Sequence, residues 1–304
     1  MPRLFDPLTL AGLTLSNRIV VSPMCQYSAV DGLVQPWHTV HLGQLAMGDP
    51  GLILLEATAV EPIGRITAGC LGLYDGATEE AMARLVAELR SLNPNARTPI
   101  GLQLGHAGRK GSSHLPWEGG RQIPLADGGW TCVAPSALAH QDGEEAPLAL
   151  AEAGLEALTS RYVEATKRAA RVGFDAVELH AAHGYLLHQF LSPVANRRED
   201  RWGGTLDNRM RFPLAVLAAV RDAWPEGRPL GIRLSATDWD EASSWTLDEA
   251  LVFAERCEAL GVDWIDVSSG GVSRAQKIRT GPGYQVPFAE AIKARVGPAV
   301  MAVG

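Results

Sequence analysis

The 304-residue chain has few cysteines, and its four, Cys25, Cys70, Cys132 and Cys257, include no Cys-x-x-Cys pair. That excludes a disulfide framework as the organising principle, along with the common zinc-ribbon and iron–sulfur spacings. Long apolar runs are also missing. Stretches such as Leu52–Leu55 fall far short of the roughly 20 residues that span a bilayer. The opening Met1-Pro-Arg-Leu-Phe-Asp6 has no apolar segment of a secretory signal, so a cytoplasmic protein is expected. Clustered positive charge is scarce: 27 Lys+Arg against 34 Asp+Glu leave a net charge of −7, and no basic run exceeds a pair such as Arg197–Arg198. Nucleic acid is therefore not expected as a partner, because phosphate binding needs grouped cations.

What is present is an ordinary globular composition, 46% hydrophobic and 20% charged, able to bury a large core. Short apolar runs alternate with amphipathic stretches along the whole chain. The expected strands are Arg18–Ser22, Leu52–Glu56, Ile100–Leu104, Ala176–His180, Leu230–Leu234, Trp264–Val267 and Ala299–Val303. Helical spacing follows Ala77 (Met82, Leu85, Val86, Leu89) and Asp207 (Met210, Leu214, Leu217, Val220), and Thr246-Leu-Asp-Glu249 reads as a capping box. Such alternation implies a parallel α/β fold, either a (β/α)8 TIM barrel or an open doubly wound sheet. No strand leads into a Gly-x-Gly-x-x-Gly turn, and the unusual polar residues follow strand ends, so the barrel is the expected fold. Leu4–Leu15 reads as an N-terminal hairpin plugging its bottom. The Gly- and Pro-rich stretch Gly105–Pro147 reads as an active-site cover. Seven strands are counted, one short of a closed barrel.

Four strand ends carry candidate chemistry. The first leads into Ser22-Pro-Met-Cys-Gln-Tyr27, where Cys25 taken alone reads as a packing residue. The fourth ends in His180-Ala-Ala-His-Gly-Tyr185, two imidazoles and a phenol within six residues. That pair of histidines suits donation of two N–H bonds to one substrate oxygen, with Tyr185 as a proton source. Gln103 reads equally as a strand-end hydrogen-bonding residue or as a ligand of a heterocycle edge. Arg233, set among apolar neighbours, must meet either a carboxylate or an electron-rich ligand. A metal reading would join His180 and His183 to Glu178 or Asp238, as in a barrel lyase or hydrolase, but a catalytic zinc needs a third ligand that the spacing does not provide.

As a set, Ser22–Tyr27, Glu56-Ala-Thr58, Gln103-Leu-Gly-His-Ala-Gly-Arg109, His180–Leu186, and Asn196–Gly204 through Asn208-Arg-Met-Arg-Phe212 resemble the Old Yellow Enzyme family of flavin-dependent ene-reductases. Cys25 and Tyr27 resemble its thermophilic-like branch, which contains the xenobiotic reductases. The resemblance implies one FMN-binding barrel domain over residues 1–304, reduced by NADPH or NADH and acting on small activated alkenes, with phenols as ligands and a homo-oligomeric state. It implies no metal. It implies that Ser22, Pro23, Met24, Cys25 and Ala57 contact FMN, that Gln103 bonds its pyrimidine edge and that Arg233 faces its reduced charge. His180 and His183 would hold the substrate oxygen under Tyr27, Tyr185 would donate the proton, and Cys25 would tune the flavin. The family continues into an eighth βα unit whose Gly-Arg pair binds the FMN phosphate. Gly304 is the part of that cradle present here, so the expectation is a C-terminally incomplete barrel, with a flavin-free, inactive barrel as an alternative.

Overall fold

Strands that are apolar on both faces need a helical layer outside and a filled interior inside. The computed structural model, which describes residues 3–92, 98–240 and 245–303, has that architecture. A hairpin of β1 (Leu8–Leu10) and β2 (Leu13–Leu15) is followed by β3 (Val20–Val21), α1 (Pro36–Met47), β4 (Leu52–Ala59), α2 (Gly76–Leu92) and β5 (Ile100–Gly105). Next come β6 (Val133–Ala134), β7 (Leu148–Ala149), α3 (Glu152–Val172), β8 (Ala176–Ala181), α4 (Leu186–Leu191) and α5 (Leu206–Ala223). The remainder is β9 (Leu230–Ser235), α6 (Leu247–Ala259), β10 (Trp264–Ser268), α7 (Val286–Lys293) and β11 (Ala299–Ala302).

The main sheet has the order β3-β4-β5-β8-β9-β10-β11, every neighbouring pair parallel. Strand order equals chain order, the winding of a TIM barrel. All seven expected strands are present, with shifted ends. β3 shrinks to two residues because it pairs only through Val20 and Val21. β4 runs three residues past Glu56 because an irregularity between Leu55 and Thr58 lets Thr58 and Ala59 rejoin β5. Among the described residues the sheet stays open between β3 and β11, where a cleft is lined by Val20, Ser22, Val300, Val303 and the hairpin.

Alternation along each strand separates two apolar sets. Ile53, Leu55, Leu102, Leu104, Val177, Leu179, Ile232, Leu234, Ile265 and Val267 pack outward with the helices. Leu52, Leu54, Ala176 and Trp264 pack inward on Leu10 and Leu15, so the hairpin does plug the bottom. The Gly105–Pro147 stretch is more structured than a bare cover. It contains β6, which pairs with β7, and three single 3-10 turns. At α6, the Thr246 hydroxyl accepts from the Glu249 N–H at 3.4 Å. The reciprocal half of the expected capping box is missing, because the Glu249 carboxylate turns away to pair with Arg209.

Candidate active site

Above its apolar floor the barrel interior becomes polar. Gln103 Nε2 donates to Glu178 Oε1 at 2.8 Å, and Trp264 Nε1 donates to Glu178 Oε2 at 2.8 Å. Trp264 reaches that carboxylate by crossing Gly231, where a Cβ would lie 1.9 Å from the indole. One register step on, Arg233 Nε lies 3.2 Å from Asp266 Oδ2. Burial, followed by the Asp266 charge, pushes the Glu178 carboxyl up to about 8. Burial pushes Asp266 up to about 6, with Arg233 opposing it. The two open readings of Gln103 and Arg233 thus each acquire a protein partner. Yet the terminal nitrogens of Arg233 and the Oε1 of Gln103 make no hydrogen bond among the described residues.

At the top of β8, the turn from His180 to Tyr185 has a backbone in which successive polar groups are clamped. His183 N–H donates to Ser235 Oγ at 2.9 Å, and Lys110 Nζ donates to the His183 carbonyl at 2.8 Å and the Gly271 carbonyl at 3.0 Å. Gly184 N–H donates to His188 Nδ1 at 2.8 Å, and Gln189 Nε2 donates to the Gly184 carbonyl at 2.7 Å. His188 is in turn held by Asp238, 3.0 Å away, both fully enclosed. Gly184 itself takes a φ of +72°, and a Cβ there would strike the Gly271 carbonyl at 2.2 Å. No other residue type fits that approach.

This scaffold stacks three rings. The His180 ring meets that of Tyr185 edge-on at 4.8 Å and that of His183 at 5.2 Å. His180 Nδ1 accepts from the Ala182 N–H at 3.2 Å, which puts the imidazole proton on Nε2 as a free donor. His183 differs, because its Nε2 lies 2.6 Å from Ser268 Oγ. The two histidines therefore present different ring nitrogens to the site: His180 has Nε2 unengaged, and His183 has Nδ1. Burial, followed by the Arg233 charge, holds both histidines well below the usual imidazole range. Burial also raises the Tyr185 phenol well above its ordinary value. Lys110, whose ammonium sits 4.9 Å from the Tyr185 ring centre, is pulled down to about 8 by its own desolvation.

The Ser22–Tyr27 segment closes the other side. Gln26 N–H donates to Glu56 Oε2 at 3.1 Å, and His38 lies 3.4 Å from Glu56 Oε1, so the β4 carboxylate anchors the segment. The Cys25 thiol is raised well above its usual range by its hydrogen bond with Cys70 and by burial, while the Ala57 N–H opposes. Cys25 is thus a thiol, not a thiolate. Tyr27 has a φ of +51° and packs edge-on against Trp117 at 5.7 Å. Its phenol is raised by burial and then by Cys25.

The structure brings together Ser22 to Tyr27, Ala57, Gln103, His180, His183, Tyr185 and Arg233 at one barrel end; Gly304 lies outside the described residues. The metal reading loses its carboxylates to other partners. Glu178 is engaged by Gln103 and Trp264, and Asp238 by His188, Ser192 and the Trp245 N–H. Among the described residues no three His, Cys, Asp or Glu are grouped to hold an ion. The polar groups fit FMN: an arginine with unengaged terminal nitrogens, the Gln103 amide oxygen as an acceptor, and a Met24–Cys25 backbone whose N–H groups find no partner among the described residues. Sequence reasoning missed Lys110, Gln189, His188 and Ser268. Lys110 adjoins a quoted motif, whereas Ser268 carries no local signal at all.

Several of the spaced motifs prove to be clamps. Asn196 Nδ2 donates to the Phe190 and Trp202 carbonyls at 2.8 Å each, and Arg109 reaches the Val272 carbonyl at 2.9 Å. Known proteins share the sequence and the fold. Residues 3–304 match the family described as NADH:flavin oxidoreductase / NADH oxidase. The chain is 42% identical over 303 residues to an NADPH dehydrogenase of Geobacillus thermodenitrificans, covering 99% of this chain and 82% of that one. It is 42% identical over 314 residues to an NADH:flavin oxidoreductase of Gibberella zeae, covering 98% and 75%. Among solved structures, morphinone reductase superimposes with a TM-score of 0.78 at 29% identity, covering 98% of this chain and 79% of that one. The same reductase in complex with tetrahydroNAD gives 0.77 at 29%, covering 99% and 80%.

Proposed function

The chain belongs to the NADH:flavin oxidoreductase / NADH oxidase family, the Old Yellow Enzymes, and is an FMN-dependent oxidoreductase reduced by NADPH or NADH; from that premise we propose that it reduces activated alkenes. The substrates are small enones, enals, maleimides and nitroalkenes. The observation that carries this reading is the pairing of a neutral, buried His180, its Nε2–H unengaged, with the Tyr185 phenol beside it. Neutral donors suit a carbonyl or nitro oxygen that gains charge only as reaction proceeds, because such contacts strengthen toward the transition state.

When bound, FMN would supply the hydride chemistry, with the nicotinamide as hydride source and the substrate's β-carbon as acceptor. The backbone and side chains of Ser22, Pro23, Met24 and Cys25, together with Ala57, would hold its ring; Gln103 would bond its polar edge, and Arg233 would offset its negative charge when reduced. Gly304 belongs to the same proposed cofactor set. His180 and His183 bind the substrate oxygen, and Tyr27 with Trp117 at its edge covers it. Tyr185 delivers a proton from its hydroxyl to the α-carbon, and the Arg233 charge favours the phenolate that remains. Cys25, kept as a thiol, tunes the flavin and the substrate fit instead of attacking either. The whole of residues 1–304 acts as one FMN-binding domain, and homo-oligomerisation is part of the same reading.

Phenols test the oxygen site, because their oxygen mimics that of an enone. His180→Ala is expected to weaken phenol binding to the flavin-loaded protein by roughly ten-fold or more, the loss of one hydrogen bond to a charged oxygen. Unchanged binding in a spectral titration would place the oxygen site elsewhere.

A further inference from the structure

Resting on this reading of the oxygen site, a second layer behind His183 decides whether that ring can donate at all. The imidazole is neutral, because burial and Arg233 disfavour its charged form. It therefore carries one proton and must place it on Nδ1 or Nε2. Nε2 faces Ser268 Oγ at 2.6 Å. Ser268, 4% exposed, owns a single hydroxyl proton. Two acceptors compete for it: His183 Nε2, and Gln285 Oε1 at 3.2 Å.

The orientation of Gln285 is settled by its other end. Its Nε2 donates to the Val303 carbonyl at 2.5 Å, so Oε1 must face the serines. Ser269 Oγ already donates to that oxygen at 2.8 Å. Gln285 Oε1 can accept from both serines, but the Ser268 hydroxyl lies much nearer His183 Nε2, at 2.6 Å against 3.2 Å, so the imidazole is the closer acceptor for its proton.

We propose that Ser268 is a positioning residue that donates its hydroxyl proton to His183 Nε2, fixing the tautomer in which Nδ1–H is available to the substrate oxygen. Ser269 contributes by giving Gln285 Oε1 a nearer donor than Ser268, at 2.8 Å. In the opposite tautomer, His183 Nε2–H would donate to Ser268, and Nδ1 would present a lone pair that repels a carbonyl oxygen. The identity of a serine on β10 would then set the polarity of a histidine on the β8 turn.

The test reads the proton directly. Full-length protein labelled with 15N-histidine is studied by long-range 1H–15N spectroscopy at neutral pH, with the His183 signal assigned through its loss in His183→Gln. The native protein is expected to show His183 protonated on Nδ1; Ser268→Ala shifts the proton wholly or partly to Nε2, and Ser268→Thr, which keeps the hydroxyl, restores Nδ1. In flavin-loaded protein the alanine variant is expected to bind phenols roughly ten-fold more weakly, and the threonine variant as the native protein does. A native His183 protonated on Nε2, or an Nδ1 proton unmoved in Ser268→Ala, overturns the proposal. Because that readout needs neither flavin nor turnover, its failure is distinct from failure of the oxygen site itself, which His180→Ala reports.

Discussion

Tyr185 owes its suitability as a proton donor to what surrounds it. The ring of His180 stands 4.8 Å away, the Lys110 ammonium 4.9 Å, and burial holds the phenol protonated. Tyr185→Phe should therefore slow alkene reduction by about 10²-fold or more, the usual worth of a positioned general acid, and leave flavin reduction by NADPH nearly unchanged. Separate stopped-flow measurements of the two half-reactions check this, and equal losses in both would remove Tyr185 from the proton's path. His180, His183 and Tyr185 were legible in the sequence because one short turn carries all three. Lys110 and Ser268 were not, because they reach His183 from 73 and 85 residues away in the chain. A lone serine or lysine carries no mark of a partner it meets only through strand order. The histidines' unequal roles were hidden for the same reason.

At the scale of elements, two devices keep the barrel's upper half in register. Trp264 crosses β9 at Gly231 to reach Glu178, so Gly231→Ala forces an overlap at 1.9 Å. It should destabilise the fold by about 1–3 kcal/mol or more, read as a lower urea midpoint; an unchanged midpoint would mean that the indole moves freely. The second device is the enclosed pair of His188 and Asp238, which ties α4 to the loop after β9 directly beneath Gly184. Removing the Asp238 carboxylate leaves the buried Ser192 hydroxyl and Trp245 N–H without their acceptor, a cost of about 1–3 kcal/mol. Asp238→Ala should show that loss in chemical denaturation, whereas a loss below about 1 kcal/mol would make the pair incidental. Strand positions were readable because continuous apolar runs mark parallel strands. Their ends were not, since the extension of β4 to Ala59 depends on an irregular pairing with β5. Glu249 likewise abandoned its capping role for Arg209, a partner on α5 that local sequence does not reveal.

For the whole molecule, the buried charges couple folding to pH. Glu178 moves from 4.5 in the unfolded chain to about 8 when folded, so the folded state keeps a proton that the unfolded chain releases across that window. Its contribution is fully present below about 4.5 and declines as pH rises toward about 8. His180 and His183, shifted down by burial, act in the opposite sense and lose their contribution as pH falls below 6.5. The stability of the native protein relative to Glu178→Gln isolates the first effect and should fall steadily between those limits in paired thermal melts; a constant difference would mean that Glu178 is ionised throughout.

Turnover by the whole molecule is measured by sequential anaerobic mixing. Flavin-loaded protein is mixed first with NADPH and then with a panel of enones, maleimides and nitroalkenes, while flavin absorbance is followed. The absorbance is expected to bleach with NADPH and to return with the activated alkene, with saturated product formed in equal amount. Bleaching with no return for any member of the panel would contradict the proposed alkene reduction.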